Sequence, residues 1–275
     1  VMGFIEVFRQ LPFFLTLFNK VLKNIREVNP SKIILIDYPG FNLRLAKKIK
    51  QQSDVNIIYY ISPQLWAWKE NRLQNIKKNI DKLIVLFPFE KQWYKNRGIN
   101  VAFFGHPLIE NYITRNKADD VKAYQIATNK YIIALFPGSR KQEIKLHAPV
   151  LKQTIFQLQK SCPNLHFVVR LSSNVDLDIK KDLGLLKNYT VEKHSSYRAF
   201  NAANFAIVAS GTATLECAAS NTPFVVIYKT SFVSWIITKM FIRVPYASIV
   251  NILSQKEVVK EFLQGDASSD KLAPY

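Results

Sequence analysis

The stretch Tyr131–Arg140, Y-I-I-A-L-F-P-G-S-R, restricts the fold more than any other part of the chain. An apolar, β-branched run stops abruptly at Pro-Gly-Ser-Arg, and a helical pattern opens near Lys141. Consecutive apolar positions need burial on both faces, which a parallel strand between helix layers provides. The turn that follows presents backbone N–H groups beside a helix N-terminus, where the dipole favours an anion. Gly138 lets the backbone approach that anion closely, and Arg140 offers a planar donor fork suited to phosphate. Phe205–Glu216, F-A-I-V-A-S-G-T-A-T-L-E, repeats the pattern. Two such turns in one α/β domain, with Arg140 at one and Glu216 at the other, suggest a nucleoside diphosphate held between them. Similar turns also occur in α/β proteins with no ligand, so the pair is weighed with the rest of the chain.

A strand–helix rhythm surrounds these turns. Residues 4–28 read as one or two helices with an apolar face that includes Phe8, Leu11, Phe14, Phe18 and Leu22. Pro12 marks a break or a start. Strands are expected at 32–36, 55–60, 82–86 and 101–104, with helices near 42–51, 69–79 and 89–96. A second series has strands near 131–136, 165–170, 188–192, 204–209 and 223–227, and a last helix near 255–264. Alternation of this kind implies an α/β fold with parallel strands and right-handed crossovers. The polar stretch 111–129 sets an expected boundary between domains 1–128 and 129–275.

Charge limits the partners. The 275 residues carry 38 Lys+Arg against 20 Asp+Glu, a net charge of +18, which favours anionic partners. The basic residues fall in scattered doublets such as Lys47-Lys48 and Lys180-Lys181, which argues against nucleic acid. Cys162 and Cys217 sit in unrelated contexts and indicate neither a disulfide framework nor a metal cluster, so no metal and no cofactor are expected. Asp176-Leu177-Asp178 is the one weak candidate for a divalent cation. No apolar run is long enough for a membrane span. The greasy segment 231–243 reads either as an interfacial helix or as a buried one.

In α/β folds ligands bind beyond the carboxyl ends of the strands. Asp37 ends the first strand and is the only acid of its turn; it reads equally as a functional carboxylate or a helix cap. Trp66 and Trp68 stand in the loop after the second strand, either lining a sugar or acyl pocket or folding under it. Phe87-Pro88 reads mainly as a helix start. His106 closes the fourth strand, as an acid–base group or a hinge.

Together these segments make the chain resemble the lipid-A-disaccharide synthase family. The residues that carry the resemblance are M-G-F-I-E-V at 2–7, I-D-Y-P-G-F-N at 36–42, S-P-Q-L-W-A-W-K at 62–69, F-P-F-E at 87–90, G-H-P-L at 105–108, F-P-G-S-R-K-Q-E-I at 136–144, A-S-G-T-A-T-L-E at 209–216 and V-P-Y-A-S-I-V-N-I-L at 244–253. They run in register over nearly the whole chain. The resemblance implies a glycosyltransferase-B fold, two Rossmann-like domains facing a cleft. It implies an inverting transfer from UDP-2,3-diacylglucosamine to 2,3-diacylglucosamine 1-phosphate, giving lipid A disaccharide 1-phosphate and UDP, without metal or redox cofactor. The implied location is cytoplasmic, peripheral at the inner-membrane surface, and a homo-oligomer is compatible with it. By motif match, Asp37 and Arg140 fall on positions important for activity. Gly138 belongs to the first phosphate turn, and Ser139, Ser210, Gly211, Thr212, Glu216 and Asn251 fall in the nucleotide-sugar site. The chain departs from the family at Gly40, where an acid is usual. It also opens after the family's first strand and Gly-rich turn and ends early, so the first domain is expected to lack its opening strand. A fragment, a split gene product and a decayed copy are all consistent with that. Another UDP-sugar glycosyltransferase or epimerase of the same fold, and a non-catalytic UDP-sugar or membrane-binding remnant, are the alternatives.

Overall fold

The computed structural model describes residues 11–67, 69–110, 117–127, 129–172, 175, 177–232, 234–236 and 244–275. The 2–7 motif, Trp68, Asp176 and most of the 231–243 segment, residues 233 and 237–243, lie outside them. The chain divides into two compact units, Val1–His106 and Pro107–Tyr275.

The first unit opens with α1 (Leu11–Val28) and then alternates β1 (Lys32–Ile36), α2 (Pro39–Lys50), β2 (Asn56–Tyr60), a 3-10 turn (Glu70–Arg72), α3 (Leu73–Asn79), β3 (Lys82–Val85), α4 (Pro88–Lys95) and β4 (Val101–Phe103). The four strands form a parallel sheet in the order β1-β2-β3-β4. Pro39 and Pro88 open their helices in the first turn, where a preset φ and a missing N–H cost nothing. One core holds Leu35, Tyr59, Leu83 and Val85 from the strands, with Leu43, Ile49, Ile76, Tyr94 and Leu22 from the helices. Only one face of β1 joins it: Ile34 and Ile36 remain 62% and 58% exposed.

The second unit contains α5 (Pro107–Glu110), α6 (Lys117–Ala123), β5 (Tyr131–Phe136), α7 (Lys141–Ser161), β6 (Leu165–Arg170), α8 (Ile179–Leu183), β7 (Tyr189–Glu192), α9 (Ser196–Ala202), β8 (Phe205–Ala209), α10 (Thr212–Ala219), β9 (Phe224–Tyr228), α11 (Ile249–Ser254), β10 (Glu261–Leu263) and α12 (Ser269–Leu272). Its parallel sheet runs β10-β9-β8-β5-β6-β7. β5 is central and buried on both sides: Ile133 and Leu135 enter one core, while Ile132, Ala134 and Phe136 enter the other. That is the double burial its unbroken apolar run demands.

Two placements differ from the sequence reading. The segment 255–264, expected as a helix, contains the edge strand β10, paired in parallel with β9. The Glu261 carboxylate fixes it there by accepting the Ala247 and Ser248 N–H groups at 2.8 and 2.9 Å, and the helix lies earlier, at Ile249–Ser254. The α6 segment, expected with the first domain, packs on α9 of the second unit. The Asn201 amide donates to Asp120 at 2.6 Å, and the Tyr124 hydroxyl donates to Glu192 at 2.7 Å.

Candidate functional site

In the second unit the strand order reverses between β5 and β8, which continue outward to β6 and β9 respectively. Such a switch point opens a crevice at the carboxyl edge of the sheet, because consecutive connections leave in opposite directions. Phe136 pairs with Val208, so the turns after these strands lie side by side. A cavity of about 380 Å³ opens there, lined by Gly138, Ser139 and Arg140 from one turn and Ser210, Gly211 and Thr212 from the other. Glu216, Glu143, Arg170 and Ser172 complete most of its wall. Seven residues singled out by sequence therefore meet in one place.

Each turn has a physical reason for its glycine. Gly138 has φ of 124°, and a Cβ built there would stand 2.6 Å from Oε2 of Glu143. That oxygen accepts the Ser139 N–H at 3.0 Å, so Glu143 folds back over the helix start and leaves no room for a side chain. Gly211 has φ of 151° immediately before α10, a conformation L-residues avoid. The Thr214 hydroxyl donates to the Gly211 carbonyl at 2.8 Å and steadies the first turn of that helix. The Ser210 N–H donates to Ile227 at 2.9 Å, and its hydroxyl donates to the Ala247 carbonyl at 2.8 Å.

Behind the first turn lies a buried histidine. Nδ1 of His147 meets the Pro137 carbonyl at 2.8 Å, and Nε2 accepts the Lys229 N–H at 2.9 Å. This pairing requires the neutral ring with the proton on Nδ1, and burial holds its pKa below the usual value. His147 thus ties the Pro137–Arg140 turn to the end of β9. Four charges face the cavity: Arg140 and Arg170, Glu143 and Glu216. Among the described residues the Arg170 Nε and the Ser172 hydroxyl are buried without a hydrogen-bond partner.

Asn251 does not join this cavity. It is fully buried, its amide donates to Val259 and Glu261 at 2.8 Å each, and its oxygen accepts from Val258 and Val259. All four of its bonds are spent on residues 258–261, where Glu261 also accepts the Ala247 N–H. Its reach toward the second turn therefore runs through the backbone that holds Ser210. Asp178 is the N-cap of α8, accepting from the Lys180 and Lys181 N–H groups. Cys217 is a core thiol whose pKa burial pushes up.

In the first unit Asp37 stands at the end of β1 with φ of 48°, followed by Tyr38 with φ of 45°. Two consecutive non-glycine residues in the left-handed region are strained and need outside support. The Tyr59 hydroxyl supplies it by donating to the Asp37 carbonyl at 2.5 Å, and the Asn42 amide by donating to Ile36 and Asp37 at 3.0 and 2.8 Å. The N-cap of α2 is Tyr38, with no side-chain cap bond, so the capping role considered for Asp37 is not seen.

Trp66 is half-buried. Its indole N–H donates to Glu90 at 2.9 Å and its ring meets Phe89 edge-on at 4.9 Å. Glu90 is 2% exposed and also accepts from Ser62, Leu86 and Phe87. Burial pushes its carboxyl above the usual range against the pull of those bonds. His106 is half-buried, with its ring 5.3 Å from that of Phe87 and its pKa lowered by burial. Sequence reasoning missed Glu90 and Glu143. The signal was an acid as the third residue of each helix, three after its N-cap.

A sequence profile of the family described as lipid-A-disaccharide synthetase matches residues 1–274. Lipid-A-disaccharide synthase 1 of Legionella pneumophila strain Lens is 41% identical, over 100% of this chain and 72% of its own length. The lipid-A-disaccharide synthase of Trichlorobacter lovleyi is 37% identical, over 99% of this chain and 72% of its own. Among solved structures, the UDP-GlcNAc 2-epimerase of Neisseria meningitidis bound to UDP-GlcNAc aligns with a TM-score of 0.56 at 15% identity, covering 88% of this chain and 71% of that one. At that identity the likeness carries the fold alone, the glycosyltransferase-B fold of UDP-sugar enzymes.

Proposed function

The chain belongs to the lipid-A-disaccharide synthetase family, and from that premise we propose how its residues carry the reaction. It is a glycosyltransferase of lipid A disaccharide synthesis. In our reading the donor is UDP-2,3-diacylglucosamine and the acceptor 2,3-diacylglucosamine 1-phosphate. The observation that carries this reading is the meeting of the two phosphate-type turns at the switch point of the second sheet. UDP lies in that cavity, with its diphosphate against Gly138–Arg140 and Ser210–Thr212 and a ribose hydroxyl on Glu216. A UDP-sugar epimerase of the same fold, solved with UDP-GlcNAc, is in keeping with this. Glu143 holds the Ser139 N–H for which the diphosphate competes.

Cleavage of the glycosyl bond places negative charge on the leaving UDP. Arg140 and the start of α10 meet that charge, and donors fixed beforehand act most strongly as it develops. The acceptor alcohol is a poor nucleophile at neutral pH and needs a base, which is Asp37. Asp37 is exposed at the carboxyl edge of the first sheet, and its carboxylate is spent on no helix cap.

Acylated substrates and a net charge of +18 suit a chain that works peripherally on the anionic inner-membrane surface. Among the described residues no helix is long and apolar enough to cross a membrane. Arg140→Ala tests the placement of the nucleotide. A charge-assisted contact is worth about 1.5–3 kcal/mol, so calorimetry should show UDP affinity reduced by roughly ten- to a hundredfold. Unchanged affinity in the folded variant would remove the diphosphate from this cavity.

A further inference from the structure

Both phosphate-type turns are tied to one short stretch at the end of β9. The Ser210 N–H of the second turn donates to the Ile227 carbonyl at 2.9 Å, and β8 pairs with β9 as far as Ala209 and Ile227. Two residues on, the Lys229 N–H donates to Nε2 of His147 at 2.9 Å. Residues two apart on an extended chain present their polar groups to the same edge, so the imidazole takes up the ladder where β8 leaves it. From its other nitrogen the ring reaches the first turn, with Nδ1 donating to the Pro137 carbonyl at 2.8 Å. His147 is fully buried on α7. It thus fixes the first turn relative to the second through β9.

That grip decides which way the first turn faces. A trans peptide sets its C=O and N–H on opposite sides, so a Pro137 carbonyl held on His147 aims the Gly138 N–H away from the buried ring. Gly138 lines the cavity, and among the described residues no acceptor takes its N–H. Glycine leaves this peptide free to turn over, and Pro137 has no N–H with which to anchor itself. His147 supplies the restraint that the turn's own sequence lacks. Burial lowers the pKa of the ring; the Pro137 carbonyl and Glu143 on α7 pull the other way, and Lys229 after β9 adds to burial. The ring is therefore neutral at neutral pH. Protonation would put a second N–H against the Lys229 N–H, two donors with no acceptor between them.

We propose that His147, as the neutral ring, is a positioning residue for the nucleotide: it sets the Pro137–Arg140 turn against the Ser210–Thr212 turn so that both meet one diphosphate. The proposal rests on the reading of this cavity as the UDP site. His147 acts through the Pro137 carbonyl and does not touch the nucleotide. Acid therefore weakens UDP binding from behind the site, as the ring takes a proton and lets go of the end of β9.

The test titrates UDP into the full chain by calorimetry, with a thermal melt of each variant. His147→Leu keeps the volume and removes both bonds, so UDP affinity at pH 7.5 should fall by about tenfold, the scale of a hydrogen bond lost in a buried site. His147→Gln offers a neutral donor and acceptor and should recover about threefold or more of that loss. Between pH 7.5 and 5.0 the wild type should lose about threefold more affinity than His147→Gln, because the terminal phosphate of UDP titrates alike in both and only the ring differs. That comparison needs no folded His147→Leu. A purely structural His147 would show in the melt alone. Wild-type UDP affinity in folded His147→Leu, a His147→Gln no better than His147→Leu, or parallel pH curves for the wild type and His147→Gln would each overturn the proposal. Arg140→Ala, measured beside them, reports on the cavity itself: if it binds UDP as tightly as the wild type, the nucleotide reading fails, a different failure from that of His147.

Discussion

Gly138→Ala tests the first turn through two separable costs. A side chain at φ of 124° sits where L-residues rarely go, a strain of about 1–3 kcal/mol. The new Cβ would also stand 2.6 Å from Oε2 of Glu143, and moving that flexible carboxylate breaks its bond to the Ser139 N–H. One such bond contributes about 1 kcal/mol. The strain must be spent again to restore the turn that holds the diphosphate, so UDP affinity should fall about fivefold to 150-fold, while the lost Glu143 bond, on a donor the diphosphate itself would take, shows only in the melt. Isothermal calorimetry with UDP, alongside a thermal melt, measures both parts. In the double variant Gly138→Ala/Glu143→Ala the contact is gone while the backbone strain remains. Against Glu143→Ala alone it should therefore cost only the strain. Wild-type affinity and melting for Gly138→Ala would refute the reasoning outright.

Two further outcomes follow from buried polar groups. His106, His147 and His166 all have pKa values lowered by burial, so each binds its proton less readily folded than unfolded. Their contribution to stability is complete above the unfolded value of about 6.5 and is lost as pH falls from there toward the lowered folded values. Urea midpoints should drop between about pH 6.5 and 5.5, and His147→Ala should flatten that slope while lowering stability at pH 7.5. Asn251→Ala leaves four part-buried partner groups unmatched at a cost of about 3 kcal/mol, lowering the melting temperature by roughly 6–12 °C. A variant that melts like the wild type but binds UDP poorly would instead put Asn251 against the nucleotide.

The parallel sheets were legible because their strands are short β-branched runs closed by turn residues. Tyr131–Phe136 and Leu165–Arg170 have the bounds expected from sequence. The switch-point cavity was legible because strand, glycine and helix start are local in sequence, and topology then sets two copies together at one edge. What escaped depends on partners far along the chain. Trp66, left open between two roles by the sequence, has its indole held by Glu90 from far along the chain. Asn251, placed in the nucleotide-sugar site by motif, closes its bonds on 258–261, a pairing its own segment does not announce. Glu261-Phe262-Leu263 carries no strong period of its own, and pairing with β9 at the sheet edge decides its form.

The central claim is that the carboxylate of Asp37, held in its left-handed turn by Tyr59 and Asn42, activates the acceptor hydroxyl. Asp37→Asn keeps size and hydrogen bonding and removes basicity. Steady-state transfer, with UDP release and disaccharide formation followed together, is the direct measurement. UDP affinity should stay near the wild-type value while turnover falls by roughly a hundredfold or more, the usual contribution of a positioned base. Turnover within a few-fold of wild type, at unchanged UDP affinity, would contradict the account and place the base on another residue.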